Sequence, residues 1–109
     1  MKLLTALLAL TTSFAASAIM PEQVRFCQAQ GSYAEQAFVS RSVGVTEDEA
    51  ISLITKAGFN DATKSTVVSI TQVVYKMEMP TDPEDIAIKA KGAGMAMTRI
   101  CIKVFEDAQ

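Results

Sequence analysis

Apolar residues recur at alternating steps of three and four along residues 21–43. This spacing places them on one face of a helix. The stripe consists of Val24, Cys27, Gly31, Ala34 and Phe38. Because two of its members are small, a partner helix can approach closely at mid-length, although a glycine inside a helix costs about 1 kcal/mol of propensity. The pattern predicts a first helix that begins at Pro21 and carries a narrow contact stripe.

The next stretch marks the end of one helix and the start of another. Gly44 suits the left-handed position that follows a helix end. Thr46 and Glu49 then form a capping-box pattern, in which the threonine caps the Glu49 amide and the glutamate reaches back to Thr46. We therefore expect Arg41, Gly44, Thr46 and Glu49 to have structural roles, and we predict a short second helix over about 47–57.

A third segment, 62–77, is rich in β-branched residues and could therefore be a strand by composition. Strand-like alternation fails because Val67-Val68 and Val73-Val74 place valines on both faces. Helical spacing instead gives one continuous stripe, over a length unusual for a strand. That stripe is Val67, Ile70, Val74 and Met77. The period favours a helix.

A fourth helix is predicted after Asp82, with Pro83 at its first position. Gly92 and Gly94 weaken its middle and indicate a kink or a break. Its tail, 99–105, alternates enough to allow a short strand, although a last helical turn is favoured. Its apolar stripe is Ile86, Ala90, Ala93, Met97 and Ile100 or Cys101. The sequence as a whole predicts an all-α, single-domain, up-down-up-down four-helix bundle of short helices.

The N-terminal residues have the pattern of a secretory signal. Lys2 precedes an apolar run, and Ala16-Ser17-Ala18 provides the small residues of a cleavage site. The run is shorter than the roughly 20 apolar residues of a membrane span. We expect residues 1–18 to be removed, which leaves a helical domain over 19–109, periplasmic or secreted, with no stable membrane anchor.

Composition excludes several kinds of chemistry. The chain of 109 residues has a net charge of −2, which argues against nucleic acid or an anionic membrane as the partner. It contains no histidine, so a Ser-His-Asp triad, a Cys-His pair or an imidazole metal ligand cannot form within it. The acidic clusters coincide with predicted helix starts, where acids are expected. We expect neither enzymatic activity nor a cofactor.

The two cysteines are predicted to form a structural disulfide. Cys27 is near the start of the first helix and Cys101 near the end of the fourth. Up-down-up-down order brings these two positions to the same pole of a bundle. An oxidising compartment permits the bond, and closing so long a loop stabilises a fold by about 4.5 kcal/mol in the chain-entropy model.

Two Met-x-Met pairs, Met77 with Met79 and Met95 with Met97, suggest an alternative function. Thioethers bind Cu(I), so the chain could be a soft-metal carrier. On a helix, however, residues i and i+2 point in nearly opposite directions, and methionine commonly fills gaps in cores. Core packing is the favoured interpretation of all four.

Arg41 and the aromatic residues leave further alternatives open. Arg41 continues the apolar stripe of the first helix, so it either bonds the last carbonyls of that helix or forms a buried ion pair with Asp48 or Glu49. Phe26 or Tyr33 is a candidate for an exposed apolar patch, which would indicate a protein partner.

Several of these features together resemble a loose class of small, exported bacterial proteins of unassigned function. The shared features are Cys27, Arg41-Ser42-Val43-Gly44, Val74-Tyr75, Pro83 and Cys101. The resemblance implies a helical fold and a disulfide, and it implies no activity. We expect a non-catalytic exported protein that acts through protein–protein interaction with a partner of unknown identity.

Overall fold

The computed structural model describes residues 19–108, which form four α-helices and no β-strand within that range. They are α1 (Pro21–Ser42), α2 (Glu47–Lys56), α3 (Asp61–Lys76) and α4 (Pro83–Asp107). The all-helical prediction is confirmed for this part of the chain, including the valine-rich third segment. The predicted signal at 1–18 and its cleavage site lie outside the described residues.

The expectation of short helices is wrong for two of the four. α1 has 22 residues and α4 has 25, well above the average of about 10–14 for globular proteins. α4 continues through both of its glycines, and the predicted kink or break is replaced by one helix that includes residues 99–105. Burial of one face against α1 offsets the low helix propensity of glycine.

The end of α1 has the predicted glycine turn. Gly44 has a φ of 94°, in the left-handed region. Its N–H donates to the Arg41 carbonyl at 3.2 Å, and the Val45 N–H donates to the Ser40 carbonyl at 3.0 Å. These two bonds form the Schellman motif, which directs the chain immediately into α2.

At the start of α2, Thr46 caps the helix as predicted, but the Glu49 side chain bonds a different group of Thr46 from the one predicted. The Glu49 N–H donates to Thr46 Oγ1 at 3.2 Å, as predicted. The Glu49 carboxylate also reaches back, but it accepts from the Thr46 hydroxyl at 2.9 Å. A threonine hydroxyl can donate and accept at once, so a single side chain satisfies both groups.

The hydroxyl groups of α3 are satisfied within the helix, whose stability comes from packing of its apolar face. Thr66, Ser69 and Thr71 each donate to the carbonyl four residues earlier, at 2.8–3.0 Å. Thr71 is buried, and this bond satisfies its hydroxyl inside the core. The predicted stripe Val67, Ile70 and Val74 forms the buried face, with Met77 half-buried at its end.

α1 is the central element of the resulting helical bundle. α4 packs along most of α1, α3 packs against α1, and α2 packs mainly on α3, whereas the backbones of α3 and α4 do not approach each other closely. The core cluster contains Ala34, Ala37, Phe38, Ile70, Val74 and Ala90. α1 therefore joins α3 and α4, which have few close backbone contacts with each other.

Candidate functional site: an apolar groove between α3 and α4

The disulfide joins the start of α1 to the end of α4. The sulfur atoms of Cys27 and Cys101 are 2.12 Å apart and their Cα atoms are 5.3 Å apart, which agrees with the predicted pairing. Cys27 is completely buried and Cys101 is half-buried. Beside the bond, the rings of Phe26 and Phe105 meet edge to face with centroids 6.0 Å apart. This pole of the bundle therefore combines a covalent link with aromatic packing.

A close backbone contact continues the join between α1 and α4 beyond the disulfide. Gly31 and Gly94 are buried opposite each other, and a Cβ atom placed on Gly94 would be 2.8 Å from the Gly31 carbonyl oxygen. The Thr98 hydroxyl, which lies against Gly31, donates to the Gly94 carbonyl at 2.9 Å. The small stripe predicted on α1 thus has its partner on α4. We call this contact the α1–α4 seam.

On the other side of α4, an open groove separates it from α3. The groove has a volume of about 410 Å³, and it is lined by apolar and uncharged polar residues from three helices. They are Phe26, Gln30, Thr66, Ser69, Ile70, Val73, Met97, Ile100, Cys101, Val104 and Phe105. We call it the α3–α4 groove. Not one of the lining side chains is charged.

Several large apolar side chains at this groove are exposed to solvent. Phe26 is 47% exposed, Val73 54%, Ile100 60% and Val104 63%. Scattered exposed apolar residues are normal, but a contiguous group of them marks an interaction surface. The prediction that Phe26 or Tyr33 contributes to an exposed patch is confirmed for Phe26.

The hydroxyl residues of the groove wall are already satisfied. Thr66 donates to the Ala62 carbonyl at 3.0 Å and Ser69 donates to the Ser65 carbonyl at 2.9 Å. Because their hydrogens point back to their own helix, these side chains do not require polar partners across the groove. The surface therefore suits an apolar occupant more than a polar one.

Outside the groove lining, Arg41 ties α1 to the end of α3. Its Nη1 donates to the Val74 carbonyl at 3.0 Å and also to the Met77 carbonyl. Its guanidinium carbon is 5.8 Å from the centre of the Tyr75 ring. Within residues 19–108, no carboxylate lies within ion-pair distance of Arg41, so the alternative of a buried ion pair with Asp48 or Glu49 is wrong. Arg41 caps a neighbouring helix, not its own.

Tyr75 completes this junction by bonding the turn after α1. Its hydroxyl donates to the Val45 carbonyl at 2.7 Å. Burial raises the pKa of Tyr75, Arg41 opposes that rise by favouring the phenolate, and Glu49 and Glu47 add to it. The neutral phenol is thus the form that the fold favours.

The methionines are divided between the core and the surface. Met77, Met79 and Met97 are half-buried against the core cluster. Met95 is 50% exposed and lies on another side of α4, near Gln28 and Gly31. Met95 and Met97 therefore do not converge on one point, whereas the extended backbone at Met77 leaves its pair with Met79 possible. The copper alternative stays a prediction that titration with Cu(I) would test.

A second cavity lies between α1, α2 and α3, with a volume of about 260 Å³. Tyr33 and Phe59 meet edge to face beside it, with ring centroids 5.7 Å apart. Tyr33 is half-buried by this contact. Unlike the α3–α4 groove, this cavity has only one large apolar side chain, Leu53, that is mostly exposed.

Sequence reasoning named Ile70, Met97 and Ile100 or Cys101 as stripe positions, but it did not identify the α3–α4 groove that they line. Val73 is next to the buried Val74, and Ile100 is next to the disulfide cysteine Cys101. The available signal for an exposed apolar surface was that both residues are apolar but lie next to a stripe position and not on the stripe's buried side. What the pattern lacks is the separation between α3 and α4, which arises from tertiary packing.

Comparison of the chain with protein-family models, curated proteins and solved structures finds no match. Among residues 19–108, no helix has both the length and the apolar character required to cross a membrane. The same residues hold no cluster of three or more His, Cys, Asp or Glu side chains that could bind a metal ion.

Proposed function

We propose that this chain is an exported, non-catalytic helical protein that is stabilised by the Cys27–Cys101 disulfide and binds another protein through the α3–α4 groove. The observation that carries the proposal is the uncharged groove with exposed apolar side chains on all three of its helices. Fully burying a side chain such as Ile100 or Val104 contributes about 1.5–3 kcal/mol. A few such side chains are sufficient for specific binding.

Export is supported by two features that have different physical origins. The disulfide requires a compartment in which thiols are oxidised. Residues 1–18 carry the charge and apolar pattern of a secretory signal. We therefore propose a periplasmic or secreted location.

We also propose the up-down-up-down order of the helices. The bonds between Cys27 and Cys101, and between Arg41 and Val74, support it. The first pair joins the start of α1 to the end of α4, and the second joins the end of α1 to the end of α3. Helices α1 and α4 then run in opposite directions, and α1 and α3 run in the same direction.

Export is tested by expressing the full 109-residue chain in a Gram-negative bacterium and fractionating the cells. Non-reducing mass spectrometry of the periplasmic fraction should give a chain that begins at Ile19 and lacks the two thiol hydrogens. An unprocessed chain with free thiols, found only in the cytoplasm, would contradict the proposed location and maturation.

Partner binding is tested by site-specific photo-crosslinking in intact cells. A photoreactive residue in place of Val73, in the groove wall, should give covalent adducts with protein. The matched control is Ile88, which is 69% exposed on α4 and is not part of the groove lining. Adducts at position 73 and not at position 88 would support the groove as the binding surface. No adduct at 73, or equal adducts at both positions, would overturn it.

A further inference from the structure

We propose that the Cys27–Cys101 disulfide exchanges with external thiols at one of its two sulfurs only, Cys101 Sγ, and that the α3–α4 groove is the route by which such a thiol reaches it. The site takes a small thiol that carries no charge on the rest of the molecule. This inference goes beyond the proposed function, in which the bond has only a structural role, and it does not depend on whether a protein binds in the groove.

The two cysteines differ in exposure. Cys27 is completely buried and does not line the groove. Cys101 is half-buried and lines the groove together with Ile100 and Val104, which are both mostly exposed. A thiolate breaks a disulfide by attacking one sulfur and expelling the other, so the accessible sulfur decides which mixed disulfide forms. In the folded protein, the incoming thiolate therefore bonds to Cys101.

The exchange consists of two balanced steps. In the first, the external thiolate attacks Cys101 Sγ, a new S–S bond forms, and the Cys27–Cys101 bond breaks with its electron pair on Cys27 Sγ. Cys27 then takes a proton from water and becomes a thiol. The external sulfur is oxidised and the Cys27 sulfur is reduced, so this step needs no other oxidant or reductant. In the second step, another external thiolate attacks the external sulfur, which releases the external disulfide and the Cys101 thiolate.

The groove lining determines which thiols enter. None of the lining side chains is charged, so a carboxylate on the reagent loses hydration there and gains no partner. The rings of Phe26 and Phe105, which are in edge-to-face contact, are part of the same lining. A small uncharged thiol such as 2-mercaptoethanol should therefore react faster than glutathione, which carries carboxylates.

Burial of Cys27 keeps the exchange slow and reversible. The Cys27 thiolate is expelled into a buried position, and apolar surroundings disfavour a thiolate. Its Cα atom is 5.3 Å from that of Cys101, so Cys27 can attack Cys101 again, expel the external thiol and restore the bond. The bond is thus persistent, although one of its sulfurs is open to attack.

The test is the reaction of the oxidised, exported protein, purified after expression of the full chain, with 2-mercaptoethanol under native conditions. The reaction is quenched with acid, and free thiols are alkylated with N-ethylmaleimide. Trypsin then separates the two cysteines onto peptides 26–41 and 100–103, whose masses show which sulfur carries the adduct. We expect adducts on Cys101 to exceed those on Cys27 at least about tenfold in the folded protein. In concentrated urea, where both sulfurs are accessible, the ratio should fall to within about twofold of one.

A matched pair of lysine variants tests the groove as the route. Val104 is 63% exposed in the groove, and Ile88 is 69% exposed on the same helix outside the groove lining. Val104→Lys places a cation three positions after Cys101, so it should accelerate exchange with glutathione about threefold or more relative to exchange with 2-mercaptoethanol. Ile88→Lys adds the same charge to α4 and should leave the ratio of the two rates unchanged. Circular dichroism and thermal unfolding verify that both variants fold.

Three results would overturn the proposal. Equal adducts on both cysteines of the folded wild type, or a preference for Cys27, would show that exposure does not direct the attack. Exchange at the rate of global unfolding, whatever the thiol concentration, would show that the folded protein gives no access to Cys101. Equal effects of the two lysine variants would exclude the groove as the route.

Discussion

The two sides of α4 differ: the α1–α4 seam is closely packed, whereas the α3–α4 groove is open. Along the α1–α4 seam, Gly31 and Gly94 bring the backbones together and a disulfide fixes one end. Across the α3–α4 groove, side chains such as Val73 and Ile100 remain exposed and the backbones stay apart. The small residues therefore form the closed contact, and the large apolar residues are left available.

This difference separates, within one helix, the contact that holds the fold from the surface that we propose for binding. The seam contributes a covalent link and close packing, so the fold does not depend on closing the groove. The groove presents apolar surface directly beside the core cluster, because Ile70 belongs to that cluster, remains buried and also lines the groove. The predictions that follow compare the stability contributed by the seam with that contributed by the junction of α1 with α3, beginning with the largest expected effect.

Removing the disulfide should have the largest effect on the seam. The bond joins residues 74 positions apart, and for a loop of this length the chain-entropy model gives a loss of about 4.5 kcal/mol. We expect the double variant Cys27→Ser/Cys101→Ser to lose much of its free energy of unfolding, since small domains have only about 5–15 kcal/mol. Urea denaturation followed by circular dichroism measures the loss. An unchanged midpoint would show that the seam is held without the bond.

The two glycines of α4 provide a matched pair for the close contact. Gly94→Ala places a Cβ atom 2.8 Å from the Gly31 carbonyl oxygen, so the helices must separate. We expect a loss of about 1–3 kcal/mol, typical of overpacking. At Gly92 an added Cβ meets no atom within 4 Å, so Gly92→Ala should stabilise the helix by about 0.5–1 kcal/mol. Thermal unfolding should shift in opposite directions, and shifts of the same sign would contradict the seam as the cause.

Arg41 tests the junction between α1 and the end of α3. Arg41→Met keeps an apolar stem but removes the donors to the Val74 and Met77 carbonyls. We expect a loss of about 1.5–3 kcal/mol, the range for hydrogen bonds to charged groups. Hydrogen exchange should show faster opening at the end of α3. Arg25→Met, at an exposed position of α1, is the control and should change stability by less than about 0.5 kcal/mol.

Tyr75 should give the smallest effect, and one that depends on pH. Burial raises the pKa of Tyr75 in the fold, so folding favours the neutral phenol. Its contribution is complete below the ordinary tyrosine pKa of about 10 and is lost as pH rises through the folded value. Wild-type stability should therefore fall more steeply above about pH 10 than that of Tyr75→Phe.

At neutral pH, Tyr75→Phe should lose about 1 kcal/mol because the Val45 carbonyl loses its donor. Urea denaturation at neutral and alkaline pH measures both effects. Parallel pH profiles for the wild type and the variant would argue against the phenol as the titrating group.

Features that depend on neighbouring residues in the chain were predictable from sequence. Gly44 adopts its left-handed conformation and Thr46 caps α2 because both effects act within one turn of backbone. The period of 67–77 indicated a helix despite its valines. The cysteine pairing also followed, since helix order alone brings Cys27 and Cys101 to one pole.

Features that depend on remote groups were not predictable in the same way. Arg41 bonds carbonyls more than thirty positions away, and no local pattern identifies such a partner. Gly94 lowers the stability of an isolated helix. It favours the fold only because Gly31 lies opposite and the two backbones approach closely. The groove arises from the distance between α3 and α4, which follows from how both helices pack on α1.

The position of the disulfide also has a consequence for biogenesis. Chains are synthesised from the N-terminus, so Cys27 is made 74 residues before its partner, Cys101. Between those two events its thiol has no intramolecular partner, and a chain truncated before residue 101 keeps that free thiol permanently. Closing the bond therefore requires that synthesis has reached residue 101, in the last part of α4. An exposed Cys27 thiol would be a chemical label of an incomplete chain, available to thiol-based quality control.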